Sequence, residues 1–119
     1  MHENGHRGVS AWKLSMNLVI KIYEATSQLP SDEKYGLISQ MRRAAVSIPS
    51  NIAEGYRRGH KKEYLQFLNI AFGSCAELET QIEICRSLPM YRHIDMSDAS
   101  DPLEQTLKLL NVMIRRISF

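Results

Sequence analysis

The chain has 119 residues, of which 44% are hydrophobic and 24% charged, with 15 Lys and Arg against 13 Asp and Glu for a formal net charge of +2. That length suffices for one domain with a real core and not for two, and the composition is ordinary for a soluble globular protein. No apolar run approaches the roughly 20 residues of a membrane span. The opening "MHENGHRG" has no hydrophobic segment behind a basic one, so it reads as a disordered tail over residues 1–8 and not as a signal peptide, with the cytoplasm as default compartment.

Helix one is expected from about Val9 to Leu29. At 100° per residue, Val9, Trp12, Met16, Val19 and Tyr23 form one stripe, and Leu14, Leu18, Ile22, Ala25 and Leu29 a second. Lys13, Asn17, Lys21, Glu24 and Gln28 share the remaining sector. More than half of this helix is apolar, which exceeds what one seam of a monomeric bundle buries and points to self-association.

"LPSDEKYG" is the turn into helix two, with Ser31 as N-cap and Asp32 and Glu33 favouring the helix N-terminus. Ile38, Met41, Ala45, Ile48, Ile52 and Tyr56 then recur in steps of three or four, and the register passes through Pro49 without slipping. Proline removes an amide donor and crowds the carbonyl four residues back, so a continuous helix kinked at Pro49 is expected. Asn51 and the neighbouring serines are placed to bond the freed carbonyls. Arg43, Ser47, Ser50, Glu54 and Arg57 share the opposite side, where Glu54 can pair with Arg57 or Arg58 one turn on.

Gly59 is a C-terminal stop, and helix three spans about Lys61 to Leu88. Tyr64, Leu68, Ala71, Cys75, Leu78, Ile82 and Cys85 step by four and three in a heptad seam, widened by Phe67, Ile70 and Phe72. Cys75 and Cys85 lie about 15 Å apart along this helix, beyond disulfide reach. None of the four histidines (His2, His6, His60, His93) falls at ligand spacing with them. Reduced core thiols follow, and neither a metal nor a cofactor is expected. "LPMYRHIDMSDAS" is a connecting loop. "DPLE" opens helix four, with Asp101 as N-cap, Pro102 at the first helical position and Glu104 in the capping box. Leu103, Leu107, Leu110, Ile114 and Ile117 carry its inner face, ending in Arg115 and Arg116. No period-2 pattern competes, so the fold class is all-α: an antiparallel up-and-down four-helix bundle over residues 9–119.

"QMRRAAVSIPSNIAEGYRRG", followed by "EYLQFLNIAFGSCAELETQI", resembles the bacterial four-helix-bundle proteins of the 23S rRNA-intervening-sequence family, and "AWKLSMNLVIKIYEATSQLP" and "EKYGL" are similar to its opening. The resemblance covers about Ala11 to Tyr91, and the fourth helix matches only in character. It implies antiparallel bundles that assemble as homopentamers around a central channel, and no enzymatic activity. The accessory proteins of diversity-generating retroelements resemble this architecture and bind a reverse transcriptase and nucleic acid through basic surface. Structural or interface roles are implied for the motif residues Ser47, Pro49, Asn51, Glu54, Gly55 and Glu77.

Between Arg42 and Lys62, the six bases Arg42, Arg43, Arg57, Arg58, Lys61 and Lys62 face the single acid Glu54, whereas Glu63 to Glu83 holds four acids and no Lys or Arg. These six residues are the candidate RNA- or DNA-binding surface, with salt dependence steepened by each phosphate contact. Tyr56 and Tyr64 are candidates for base stacking, although their apolar stripes favour core packing. The rival expectation is a protein-interaction module whose basic segment docks on Glu77, Glu79 and Glu83 of a neighbour. A ribonuclease of the HEPN type is a remote alternative: "RSLPMYRH" pairs Arg86 with His93, but Pro89 interrupts the helix that would align them. A Ser47–Glu54–His60 hydrolase lacks a nucleophile elbow, and Glu77, Glu79 and Glu83 lack the Glu-x-x-His pairs of a di-iron bundle.

Overall fold

The computed structural model describes residues 5–118, in four helices with no strand among them: α1 Ser10–Thr26, α2 Leu37–Arg58, α3 Lys61–Ser87 and α4 Ser97–Ser118. Short 3-10 turns at Gly5–Gly8, Ser31–Glu33 and Pro89–Tyr91 link or precede them. Helix α1 packs on α2 and α4, and α3 packs on the same two. This closes a four-membered ring of contacts with one shared interior, the four-helix-bundle arrangement. Cα extents are 45 × 24 × 21 Å.

The interior follows the periodicities. Leu18, Ile22, Ala25 and Leu29 of the second α1 stripe are buried, as are Met41, Ala45, Ile48 and Ile52 of α2. On α3, Leu68, Ala71, Cys75, Leu78, Ile82 and Cys85 are buried, and Leu103 and Leu110 of α4 close the core. Each fully buried Leu or Ile contributes about 1.5–3 kcal/mol, against at most about 1 kcal/mol for an exposed ion pair. Apolar burial therefore dominates. Met41 Sδ meets Cys85 Sγ at 3.9 Å and Ser47 Oγ meets Ser74 Oγ at 2.8 Å. A Cβ on Gly55 would meet Phe67. Residue numbers thus rise along α2 as they fall along α3.

Pro49 lies inside α2, buried, with the helix uninterrupted on both sides. The nearby side chains serve carbonyls other than that of Ala45, the one Pro49 leaves without its amide. Ser50 Oγ donates to Val46 O at 2.7 Å, and Asn51 Nδ2 donates to Ser47 O at 2.7 Å.

Four boundaries differ from the sequence expectation, the first being the end of α1, which falls at Thr26 and not at Leu29. Ser31 is not an N-cap: it starts a 3-10 turn, and α2 begins six residues later behind Gly36. Glu33 supplies the cap, its Oε1 accepting from Leu37 N at 3.3 Å. Nor is Asp101 the start of α4, which begins a turn earlier at Ser97 and takes Pro102 inside. Asp95 Oδ1 accepts from Ser97 N at 2.9 Å and from Ser97 Oγ at 2.6 Å, while burial of Ala99 draws this extra turn onto the core. The expected disordered tail over 1–8 also meets a difference. Gly5–Gly8 form a turn packed on α1 and α2, and residues 1–4 lie outside the described residues.

Candidate nucleic-acid interface

The α2–α3 corner is built by glycine. Gly59 ends α2 with φ 74°, a left-handed conformation that costs a residue with a Cβ, and α3 starts two residues on at Lys61. One turn before that stop, a Cβ on Gly55 would fall 2.6 Å from Phe67 Cβ and 3.1 Å from Tyr64 Cδ1. Only glycine lets α2 and α3 approach so closely there. The Tyr56 and Tyr64 rings pack edge to face at 6.0 Å. Burial, then the neighbouring Tyr56, holds the Tyr64 hydroxyl above its ordinary pKa.

Four of the six expected phosphate-binding residues, Arg57, Arg58, Lys61 and Lys62, sit together at this corner and are exposed. Arg58 takes both local acids, Glu54 at 3.0 Å and Glu63 at 3.6 Å, with its guanidinium 5.3 Å from the Phe67 ring centre. Arg57 Nε donates to His6 Nδ1 at 3.2 Å, and His6 packs edge-on against Trp12 at 5.1 Å. A neutral imidazole is required to accept that bond. Desolvation first, then the charges of Arg57 and Arg7, lowers the His6 pKa.

The other two, Arg42 and Arg43, are elsewhere: fifteen residues of helix separate Arg42 from Arg57, about 22 Å. Arg42 is structural. Its Nε donates to Thr26 Oγ1 at 2.9 Å and its Nη2 to Tyr23 O at 3.3 Å, with the guanidinium 4.4 Å from the Tyr23 ring centre. It pins the end of α1 to α2. Arg43 is exposed, beside a groove with Gln40, Ser47, Ser74 and Glu77.

The corner also gains residues outside the basic α2 segment. Ile117 lines one apolar hollow with Gly55, Tyr56, Gly59, His60 and Tyr64, which brings the exposed Arg115 and Arg116 of the last α4 turn to the same end. Arg7 arrives with the turn that carries His6. Segments 5–8, 54–63 and 115–118 together hold seven Lys and Arg and two acids, Glu54 and Glu63. At the other end, segments 31–43 and 79–104 hold eight acids and five Lys and Arg. The bundle is electrically polarised along its length. Arg115 and Arg116 were legible as a basic helix end, and the even number of helices is the signal that returns them to the α2–α3 corner.

The motif residues divide between structure and surface. Ser47 joins Ser74 and accepts from Asn51 Nδ2 at 2.9 Å, forming a polar node between α2 and α3. Glu54 pairs with Arg58, Gly55 sits at the close approach, and Glu77 Oε1 accepts from Gln81 Nε2 at 3.3 Å.

Arg86 and His93 are separated by the Pro89–Tyr91 turn. Arg86 is held by Ser100 Oγ at 2.9 Å and Glu83 Oε1 at 3.5 Å. Both cysteines are buried free thiols. Burial, then Glu79, pushes Cys75 up to about 12.

A second surface lies along α1 and α2, where the first α1 stripe meets α2. Trp12, Met16, Val19, Val46, Pro49 and Ala53 line a shallow apolar groove. Met16 is 39%, Tyr23 42% and Val46 41% exposed, so two residues of the α1 stripe and one of α2 remain open to solvent in the single chain.

The fold is therefore that of a small all-α protein with four helices and a basic end. The profile of the family described as 23S rRNA-intervening sequence protein matches residues 7–112, and the chain belongs to that family. A search among curated proteins finds no match. No helix among the described residues is long and apolar enough to cross a membrane.

Proposed function

We propose that this protein is a non-enzymatic, cytoplasmic, homo-oligomeric bundle, pentameric and antiparallel with α2 bent at Pro49, that binds RNA or DNA or scaffolds a nucleic-acid enzyme such as a reverse transcriptase. The observation that carries the reading is the clustering of Arg57, Arg58, Lys61 and Lys62 at one exposed corner. A strongly basic patch attracts polyanions, and its repetition around a ring would turn a modest local charge into a continuous belt. The apolar groove of α1 and α2, with Met16 and Val46 exposed along it, supports self-association. Arg86 and His93 support no catalytic pair, because Arg86 is already held by two partners.

Titration against single- and double-stranded RNA and DNA at two salt concentrations tests the reading. Binding that weakens with salt and disappears in Arg57→Glu/Arg58→Glu, with the assembly intact, is expected. Loss of assembly in that variant favours the second reading, a protein-interaction module in which the basic corner docks on acidic residues of a neighbour.

A further inference from the structure

The geometry points to a double-stranded nucleic acid, gripped through its phosphates by the end of the bundle and not read at its bases, with Arg7, Arg115 and Arg116 completing the contact surface. The inference deepens the nucleic-acid reading above and rests on it. Cations from four elements meet at this end: Arg7 ahead of α1, Arg57 and Arg58 on α2, Lys61 and Lys62 on α3, and Arg115 and Arg116 on α4. The two acids present both pair with Arg58. Arg7, Lys61, Lys62, Arg115 and Arg116 form no ion pair among the described residues, and Arg57 has the imidazole of His6 as its partner. Six cations thus remain for an outside anion.

The Tyr, Phe and Trp rings described at this end are already engaged. Tyr56 and Tyr64 pack on each other, Phe67 lies under Arg58, and Trp12 packs against His6. Single-strand binders hold bases by stacking them on open rings, whereas the Tyr, Phe and Trp rings described at this end are engaged by one another, by Arg58 or by His6, and the exposed ring is the small imidazole of His60. Contacts confined to phosphates carry no sequence information. They favour a partner whose phosphates are dense and already fixed in place. A duplex carries one charge per about 1.7 Å of axis, so across a bundle cross-section of 24 × 21 Å it carries about 14 phosphates, of which roughly half face the bundle. A flexible single strand presents fewer and must be ordered to match.

The test uses 20-base-pair duplexes of DNA and of RNA, two unrelated sequences each, and single strands of equal length, followed by fluorescence anisotropy from low to moderate salt. The full chain is compared with Arg115→Ala/Arg116→Ala and, separately, Arg43→Ala, with circular dichroism confirming the fold. Duplexes should bind more tightly than single strands and without sequence preference. The α4 pair should weaken duplex binding about tenfold and reduce the salt slope by about 1.8, at about 0.9 for each phosphate no longer neutralised, while Arg43→Ala binds as the parent. The RNA and DNA arms show which duplex is preferred. Tighter binding of single strands, or an α4 variant that binds as the parent, overturns the inference and leaves nucleic-acid binding standing. No binding of any nucleic acid at low salt overturns both.

Discussion

Gly55 shows how one missing side chain sets a helix crossing. With Phe67 Cβ only 2.6 Å from where a methyl would sit, the obstacle is an atom fixed to the α3 backbone and cannot swing away. Gly55→Ala is expected to destabilise the fold by about 1–3 kcal/mol despite alanine's better helix propensity, as chemical denaturation would register. His6 makes the opposite kind of contact, one that depends on charge state. Its pKa is lowered from 6.5 by desolvation, Arg57 and Arg7, so the fold favours the neutral ring. The stability it contributes is complete above pH 6.5 and falls as acid protonates the unfolded chain first. Emission from Trp12, the chain's single tryptophan, should shift as pH drops through and below that value, and the shift should vanish in His6→Phe. Tyr91 donates to Glu33 Oε2 at 2.6 Å, a bond that, ahead of burial, pushes its pKa up to about 12.

At the scale of elements, ends and joints matter most. Asp95 holds the α4 start through both the amide and the hydroxyl of Ser97, and those bonds lower its pKa. Asp95→Ala should speed amide exchange in the first α4 turn while leaving α2 and α3 protected. The loss should resemble that of the parent protein taken to acid, where the carboxylate is protonated. Gly59, with φ 74° and nothing within 4 Å of a built Cβ, carries a purely conformational demand. Gly59→Ala is expected to cost about 1 kcal/mol, visible as a lower midpoint with unchanged steepness of denaturation. Arg42 is the joint between α1 and α2, and its loss should be felt as stability before any effect on ligands.

At the scale of the whole molecule, two surfaces ask for partners: the apolar groove of α1 and α2, and the basic end. A single chain weighs 13.7 kDa. Light scattering at micromolar concentration should return a multiple of that mass, and Met16→Glu/Val46→Glu should reduce it towards one chain with helicity retained. A parent protein already at 13.7 kDa would remove the case for self-association.

The number, type and inward faces of the helices were legible in the sequence, because heptad spacing of Leu, Ile and Ala makes burial a local, periodic property. Gly59 as a stop was legible too, since only a left-handed φ ends the helix there. The start of α4 was not. Its cap is Asp95, two residues before the helix, and the extra turn exists because Ala99 reaches the core, a contact no local pattern encodes. Nor did the six bases between Arg42 and Lys62 behave as one surface, since a rigid helix spreads Arg42 and Arg57 about 22 Å apart. What tertiary structure alone decided was the company each charge keeps: four helices folded back on one another bring Arg7, Arg57, Lys61 and Arg116 to one end. Packing sets which ends meet, whereas periodicity sets only which faces turn inward.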